Sequence, residues 1–573
     1  MILWTIKSDR RTKSNTFVHQ ITLIHISKQN HKTMKTFRLS LLALLVALLS
    51  MGNAQAQIPT DSIVADFNEF VCLLEETHPD PYTNYGGRPF FRKTAMEIRQ
   101  KLVQDSVSSP SVLAHRIGEF LTPLSDGHTS IWDDTFDWWR HAPIRFLAMN
   151  QGIMYVHLLP VQYKELLGSK LLGIENMPVK DVVTGLTQQS IYPAENEMGR
   201  LLMLCWDCAS LDKVIPNIPE DSITYHLETP EGKKVDLTLP FTADRNASWP
   251  EQCEIPYTNI FPSKHLAFDF VGEGKNTMFL CLNSIMARDC IEFMRDNGWE
   301  YESSVASLFR QMYRGQDMPS DPNEAIAMLP SFSGEFEKML LEMKKNKSKN
   351  LIIDLRGNSG GFTPIVIPTL YQMWGDEFIK KSSSFDTKGY TKISPLLMKK
   401  YNTTLEQFNA ERNANYMMGD YAIEEEDPVI DNVTDEIRNQ FISSFMSSVK
   451  DKLMAQHGKP VYTPEHVYVL TDPSTFSAAF HYAFFLSKMG ATIVGVTSRQ
   501  ATNTYMEQTP FELPRTGLKG SISNSLQMFL PADDPRAKDF YPDLMPTYED
   551  FKRYNFDWNT IPMYLLDYIK NQK

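Results

Sequence analysis

The stretch HVYVLTDPSTFSAAFHYAFFLSKMGATIVGV, residues 466–496, decides the fold class. Val467-Tyr468-Val469-Leu470 is apolar, of strand length and rich in β-forming residues. Thr471 to Thr475 breaks that run. From Phe476 small residues (Ser477, Ala478, Ala479, Ala483) alternate with Phe480, Phe484 and Leu486, as in a helix buried against a sheet. A second strand, Thr492 to Val496, follows. This strand–turn–helix–strand order predicts an α/β core and puts Ser477 at a helix N-terminus. Free backbone N–H groups and the helix dipole favour a developing negative charge there, which is what acyl transfer asks of a serine nucleophile. A helix-capping serine is the plainer reading of the same position.

Working outward, 573 residues exceed one hydrophobic core and predict two to four domains. Composition is that of a globular chain, with 42% apolar and 22% charged residues and no internal repeat. The formal charge of −12 shows no basic surplus, which argues against nucleic-acid binding. Met34-Lys35-Thr36-Phe37-Arg38, the apolar run Leu41 to Leu49 and Ala54-Gln55-Ala56 read as a secretory signal peptide cleaved near Ala56. The apolar run is too short to span a bilayer. Met34 then reads as the true start, and residues 1–56 fall outside the mature protein. Those residues carry eight Lys/Arg and one Asp, so the mature formal charge is −19. The expectation is an exported, acidic protein, periplasmic or extracellular, with no stable membrane insertion. Export permits disulfides, but Cys72, Cys205, Cys208, Cys253, Cys281 and Cys290 allow fifteen pairings. Core cysteines or one structural disulfide are expected. The single C-x-x-C, Cys205 to Cys208, has no second pair to complete a zinc site. There is no H-E-x-x-H and no phosphate-binding loop, so neither metal nor cofactor is expected.

In chain order, residues 57–141 read as helical, with Phe67, Phe70, Val71 and Leu74 at helical spacing and a second amphipathic helix over Val112 to Leu124. That helix runs into Ser125-Asp126-Gly127-His128-Thr129-Ser130, where a glycine-containing loop can hold His128 out into a cleft. Imidazole is the usual general base at neutral pH, although a lone loop histidine is more often a surface residue. Residues 142–243 turn to short strands, including a hairpin around Pro230-Glu231-Gly232. The run Gly168 to Val179 resembles a PDZ-like module, which would bind a peptide by strand addition; a plain β-rich spacer is the other reading. In residues 244–573, strand Thr277 to Leu282 and helix Phe332 to Lys345 precede Asp354-Leu355-Arg356-Gly357-Asn358-Ser359-Gly360-Gly361. Gly360 and Gly361 allow close backbone approach to a ligand. Residues 376–455 are polar and mostly helical, with an acidic run Glu424 to Asp427, and read as an insertion that could cover the cleft. Asn246, Asn346, Asn402 and Asn432 begin N-x-S/T sequons.

Four pieces in order resemble the tail-specific, or C-terminal processing, peptidase family, which includes the tricorn core and retinoid-binding relatives. They are Leu124 to Thr129, the PDZ-like segment, Asp354 to Gly361, and Thr475 to Ala479 with Pro542-Asp543 near the end. The resemblance implies an α/β multi-domain protein with a ClpP/crotonase-like core of repeated ββα units, a helical N-terminal region and a PDZ-like module. It implies a serine peptidase acting on a peptide or protein. Ser477 is the implied nucleophile, with an oxyanion hole from Ala478 and either Gly360 or Gly361. One family branch carries a lysine base in a run that here reads Gly495-Val496-Thr497-Ser498-Arg499-Gln500-Ala501, with alanine at the lysine position. The other branch uses the loop histidine, here His128. The acid that steadies the imidazole matches Asp543 of the Pro-Asp pair, with Asp533, Asp534 and Asp539 as competitors. That branch has a hydroxyl residue before the histidine, where this chain has Gly127.

Two other functions remain. Gly357-Asn358-Ser359-Gly360-Gly361 satisfies the G-x-S-x-G of an esterase elbow, but no histidine follows His481 to complete that triad. A non-catalytic binding protein on the same scaffold is the second. His481, one helical turn beyond Ser477, is a further candidate base.

Overall fold

The computed structural model describes residues 58–132, 140–187, 193–205, 211–244, 247–385, 387–424, 429–443 and 447–572. The expected signal peptide, Cys208, the sequon residue Asn246 and Glu425 to Asp427 lie outside the described residues.

Strands Thr492–Gly495, His466–Thr471, Asn350–Asp354 and Thr277–Cys281 lie side by side and parallel, with Ala267–Val271 antiparallel at one edge. Their continuous apolar character has a direct cause: both faces of the sheet are covered. Leu351, Ile353, Val467 and Val469 pack on one face, where helices Phe332–Asn346, Ile367–Trp374 and Ala478–Lys488 supply Phe336, Leu370 and Phe484. Ile352, Tyr468, Leu470 and Val494 alternate to the other face, against Leu565 and Ile569 of the C-terminal helix Thr560–Asn571. The mixed α/β class is as expected.

The segment read as β-rich forms a seven-stranded sheet. Strands Arg145–Ala148, Met154–Pro160, Lys170–Ile174, Ser222–Glu228 and Lys234–Pro240 run in that order, flanked by helix Glu197–Cys205. The hairpin between the last two turns through Gly232, whose φ of +82° suits glycine. Strand Gln252–Glu254 also joins this sheet, beside Met154–Pro160, so the pairing extends beyond residue 243.

Helices Thr60–Thr77, Arg88–Gln104 and Pro110–Leu121 bury Phe67, Phe70, Phe91 and Phe120 in one cluster with Phe511 and Ile522. The last two belong to the antiparallel pair Thr504–Glu512 and Lys519–Met528. Within residues 376–455, helices Asp376–Ser382, Pro395–Lys400, Leu405–Arg412, Asp435–Ser443 and Ser447–Met454 predominate. Besides these helices the segment contains strands Lys388–Lys392 and Tyr421–Glu424, which pair with each other and extend the sheet of Lys519–Met528. Lys392 Nζ donates to the carbonyls of Glu75 (2.7 Å) and His78 (3.2 Å), stitching this segment to the first helix. These strands are four or five residues long and largely polar, too short for a clear alternating signature.

Cys72, Cys205, Cys253, Cys281 and Cys290 are free thiols, and the last two are buried beside the central sheet. No described helix is long and apolar enough to cross a membrane.

Candidate active site

Strand His466–Thr471 delivers the chain through a tight turn, closed by Thr475 N–H to the Asp472 carbonyl, into the helix beginning at Ala478. Ser477 caps that helix at φ 53°, ψ −125°, a conformation that costs a non-glycine residue about 1–3 kcal/mol. Three neighbours hold it there. Phe476 N–H donates to the Asn358 carbonyl (3.0 Å), Thr475 Oγ1 to the Leu355 carbonyl (2.9 Å), and Ser477 N–H to Gln500 Oε1.

The first two contacts press the Asp354–Gly361 loop against the serine turn. A Cβ on Gly360 would stand 2.7 Å from Ser477 Cβ and 2.8 Å from the Phe476 carbonyl oxygen, so only glycine fits. Gly360 N–H is used within the loop, donated to Asn358 Oδ1 at 2.9 Å. Gly361 lines the cavity beside Ser477, and a Cβ there would lie 2.3 Å from the Ile285 carbonyl oxygen. The Asp354–Arg356 part of the motif is structural. Arg356 forks onto both oxygens of Asp354 (2.8 and 2.7 Å) and reaches the Trp558 carbonyl (2.8 Å), tying the loop to the C-terminal region.

His128 approaches from the opposite side. Its carbonyl accepts from Ser521 Oγ (3.0 Å) and its N–H donates to Asp126 Oδ1 (2.8 Å), which anchors the loop to the antiparallel sheet. The ring stacks on Phe476, 4.6 Å between centroids at 24°, and is 5% exposed. No described hydrogen bond joins either ring nitrogen to Ser477. Burial pushes the imidazole below its usual range, opposed by the charge of Asp126. A neutral ring is the form a general base needs.

Sequence reasoning missed the carboxylate beside that ring. Glu195 Oε1 lies 3.7 Å from His128 Nδ1, and the side chain is fully enclosed. Three donors aim at it: Gly127 N–H (3.1 Å) on Oε1, with Ala501 N–H (2.8 Å) and Thr504 Oγ1 (2.9 Å) on Oε2. Burial and then the charge of Asp126 push it up to about 8 against those hydrogen bonds. Glu195 immediately precedes Asn196, whose Nδ2 donates to the Ser498 carbonyl (2.9 Å). No local motif marks it; only the packing of the β-rich segment on residues 498–504 brings it in. Gly127 also finds its reason here, because a Cβ would meet Glu195 Oε1 at 2.7 Å and Phe476 Cζ at 3.0 Å.

Asp543, the residue matched to the family's Pro-Asp, is placed elsewhere. It is exposed, and its Oδ2 accepts from Ile493 N–H at 2.8 Å. Asp533 and Asp539 make no described contact with His128, and Asp534 pairs with Arg536 at 2.7 Å. Asp126 is fully buried near the ring, with Oδ2 3.3 Å from His78 Nε2. Burial would raise its pKa, but His78 and the neighbouring charges hold it down at about 2. One donor atom each from Asp126, His128 and Glu195 lies within 4.8 Å of the others, a grouping that could also receive a metal ion. His481 is a packing residue: Nδ1 bonds Thr363 Oγ1 at 2.8 Å, Phe529 lies 5.1 Å away between centroids, and burial pushes the ring down to about 3. Ser359 is exposed at the rim of the same cavity.

That cavity has a volume of about 700 Å³, and Ser477, His128, Glu195, Gly361, Phe476 and Arg499 line it. The Arg499 guanidinium sits 3.8 Å from the Phe476 ring centroid. A serine at a helix N-terminus, an imidazole and an enclosed carboxylate facing one cavity of this size are the parts of a nucleophilic acyl-transfer site.

Residues 325–528 match the model of peptidase family S41. Among solved structures, mature CPAF aligns with a TM-score of 0.51 at 16% identity, covering 89% of this chain and 98% of that one. Mature CPAF complexed with lactacystin aligns with a TM-score of 0.50 at 17% identity over the same shares. The photosystem II D1 C-terminal processing protease aligns at 12% identity over 85% of this chain and 94% of that one, with a TM-score of 0.35. No curated protein sequence matches the chain significantly. The CPAF alignments show a common fold, and the segment that matches the model of peptidase family S41 carries Ser477 and the Asp354–Gly361 loop.

Proposed function

We propose that the peptidase works through an acyl-enzyme on Ser477, with His128 as general base and Glu195 as the acid that steadies the imidazole. His128 takes the proton from Ser477 Oγ as the oxygen attacks the peptide carbonyl. The N–H groups of Ala478 and Gly361 receive the oxyanion, Gly360 N–H being already engaged. The imidazolium faces the Glu195 carboxylate and returns its proton to the leaving amine; water then hydrolyses the ester. Ala501 stands where the lysine branch carries its base, and its N–H instead donates to Glu195, which supports the histidine branch. The observation that carries this reading is the left-handed Ser477 at a helix N-terminus, sharing one cavity with His128 and Glu195.

The ClpP/crotonase-like description of the core is supported by its parallel strands with helices following them, and the PDZ-like description by the seven-stranded sheet. A PDZ-like module would take an extended peptide by strand addition. The basic and apolar run before Ala56 supports export to the periplasm or beyond. A fluorophosphonate probe with peptide mapping tests the mechanism. Wild type and Ser359→Ala are expected to be labelled at Ser477, and Ser477→Ala not at all. Labelling at Ser359 would favour an esterase, and an unlabelled wild type a binding protein.

A further inference from the structure

Gln500 lies between the serine and the relay, and neither the family resemblance nor the mechanism above gives it a role. Its side chain is fully buried. Because Ser477 presents an N–H, the atom facing it must be the amide oxygen, and Oε1 accepts that N–H. Gln500 Nε2, equally buried, has no partner among the described residues. Burying an amide with an unmatched donor costs stability, so a role in stability alone does not explain it.

The backbone around Gln500 is fixed from both sides. Gln500 N–H donates to Ser498 Oγ (3.0 Å), and Ser498 Oγ in turn donates to the Thr475 carbonyl. Asn150 Oδ1 accepts Thr497 N–H at 3.0 Å, and the next residue, Ala501, holds Glu195. One short segment thus grips the nucleophile's backbone through a side chain and the acid through its main chain.

We propose that Gln500 is a positioning residue that clamps Ser477 in its left-handed conformation, aiming Oγ at the cavity and the Ala478 N–H at the developing oxyanion. The proposal rests on Ser477 being the nucleophile. The clamp acts through acceptance at Oε1: without an acceptor, the Ser477 N–H loses its partner and the strained turn relaxes toward ordinary helix-cap geometry. The reacting oxygen moves, while the walls that bind the rest of the peptide stay in place.

Three variants separate this from simple packing. Gln500→Met keeps the volume and removes the acceptor, Gln500→Glu keeps an acceptor oxygen and removes the donor, and Gln500→Ala serves if Gln500→Met fails to fold. Turnover of a fluorescent casein and the rate of fluorophosphonate labelling at Ser477 are measured on full-length protein, with melting temperatures alongside. Gln500→Met and Gln500→Ala are expected to lower kcat and labelling rate by roughly 10–100-fold, with KM changed less than about twofold. Gln500→Glu is expected to stay within about fivefold of wild type. Equal labelling rates in wild type and Gln500→Met overturn the proposal and leave the peptidase reading standing, as does equal loss in Gln500→Met and Gln500→Glu. A wild type labelled nowhere overturns the peptidase reading itself.

Discussion

Replacing Glu195 by glutamine tests the proposed relay at its least expected member. The change keeps an oxygen that can accept from Gly127 N–H but removes the charge facing His128. At the observed 3.7 Å between Nδ1 and Oε1, a carboxylate and an imidazolium attract by roughly 4 kcal/mol at an effective dielectric of about 20. Losing that in the transition state lowers kcat/KM about 10³-fold. The pH dependence has a defined sign. Burial pushes Glu195 up to about 8 and His128 down, so near neutrality the proton of the pair rests on the glutamate side. The ionised carboxylate beside a neutral imidazole accumulates as pH rises through about 8, and wild-type activity should climb along that limb. In Glu195→Gln no carboxyl ionises, and the limb should vanish along with most of the activity. The assay is kcat/KM for fluorescent casein from about pH 5 to about pH 9.5 on folded wild type, Glu195→Gln and Asp543→Asn. Asp543→Asn should behave as wild type, since Asp543 serves a strand edge. The assignment fails if Glu195→Gln keeps more than a tenth of wild-type activity with the same limb, or if Asp543→Asn shows the large loss.

Gly127→Ala should cost about 1–3 kcal/mol of stability by overpacking, because the new Cβ meets Glu195 Oε1 at 2.7 Å and that carboxylate is pinned by three donors. Activity should fall more steeply than the melting temperature alone explains; an unchanged kcat would show that the carboxylate yields freely. Asp126, held at about 2, stabilises the fold above its unfolded pKa near 3.9, and that stability is lost as pH falls from there through about 2. Asp126→Asn should therefore be less stable than wild type at pH 7 and show a smaller loss of stability on acidification. Urea unfolding at several pH values measures both, and parallel curves would contradict the assignment.

The strand–turn–helix around Ser477 was legible because local pattern and tertiary role agree: apolar strand, small residues, buried helix. His128 was legible as a loop residue after an amphipathic helix, and Gly360 and Gly361 as glycines required by close approach. Glu195 was not, because it is one of 69 acidic residues and reaches the imidazole through the docking of a sheet built from residues far away in sequence. Asp543 illustrates the converse: a motif match fixed its place in the chain while the backbone turned its carboxylate onto Ile493 N–H. The strands within residues 376–455 escaped notice because pairing, of Lys388–Lys392 with Lys519–Met528 and of Tyr421–Glu424 with Lys388–Lys392, makes them strands rather than intrinsic preference.

The order of strands in the central sheet limits how this enzyme can be divided. The segment that carries the family match, residues 325–528, contains strands Asn350–Asp354, His466–Thr471 and Thr492–Gly495 but neither Thr277–Cys281 nor Ala267–Val271. Excised as a fragment, it would turn the interior strand Asn350–Asp354 into a bare edge whose backbone seeks a new partner, and would uncover Ile352 and Tyr468 on the face that the C-terminal helix covers. It would also hold Ser477 without the proposed base His128 and the proposed acid Glu195. Any expression strategy built on the recognisable segment should yield aggregates, and under the proposed mechanism the smallest unit that hydrolyses a peptide begins upstream of His128.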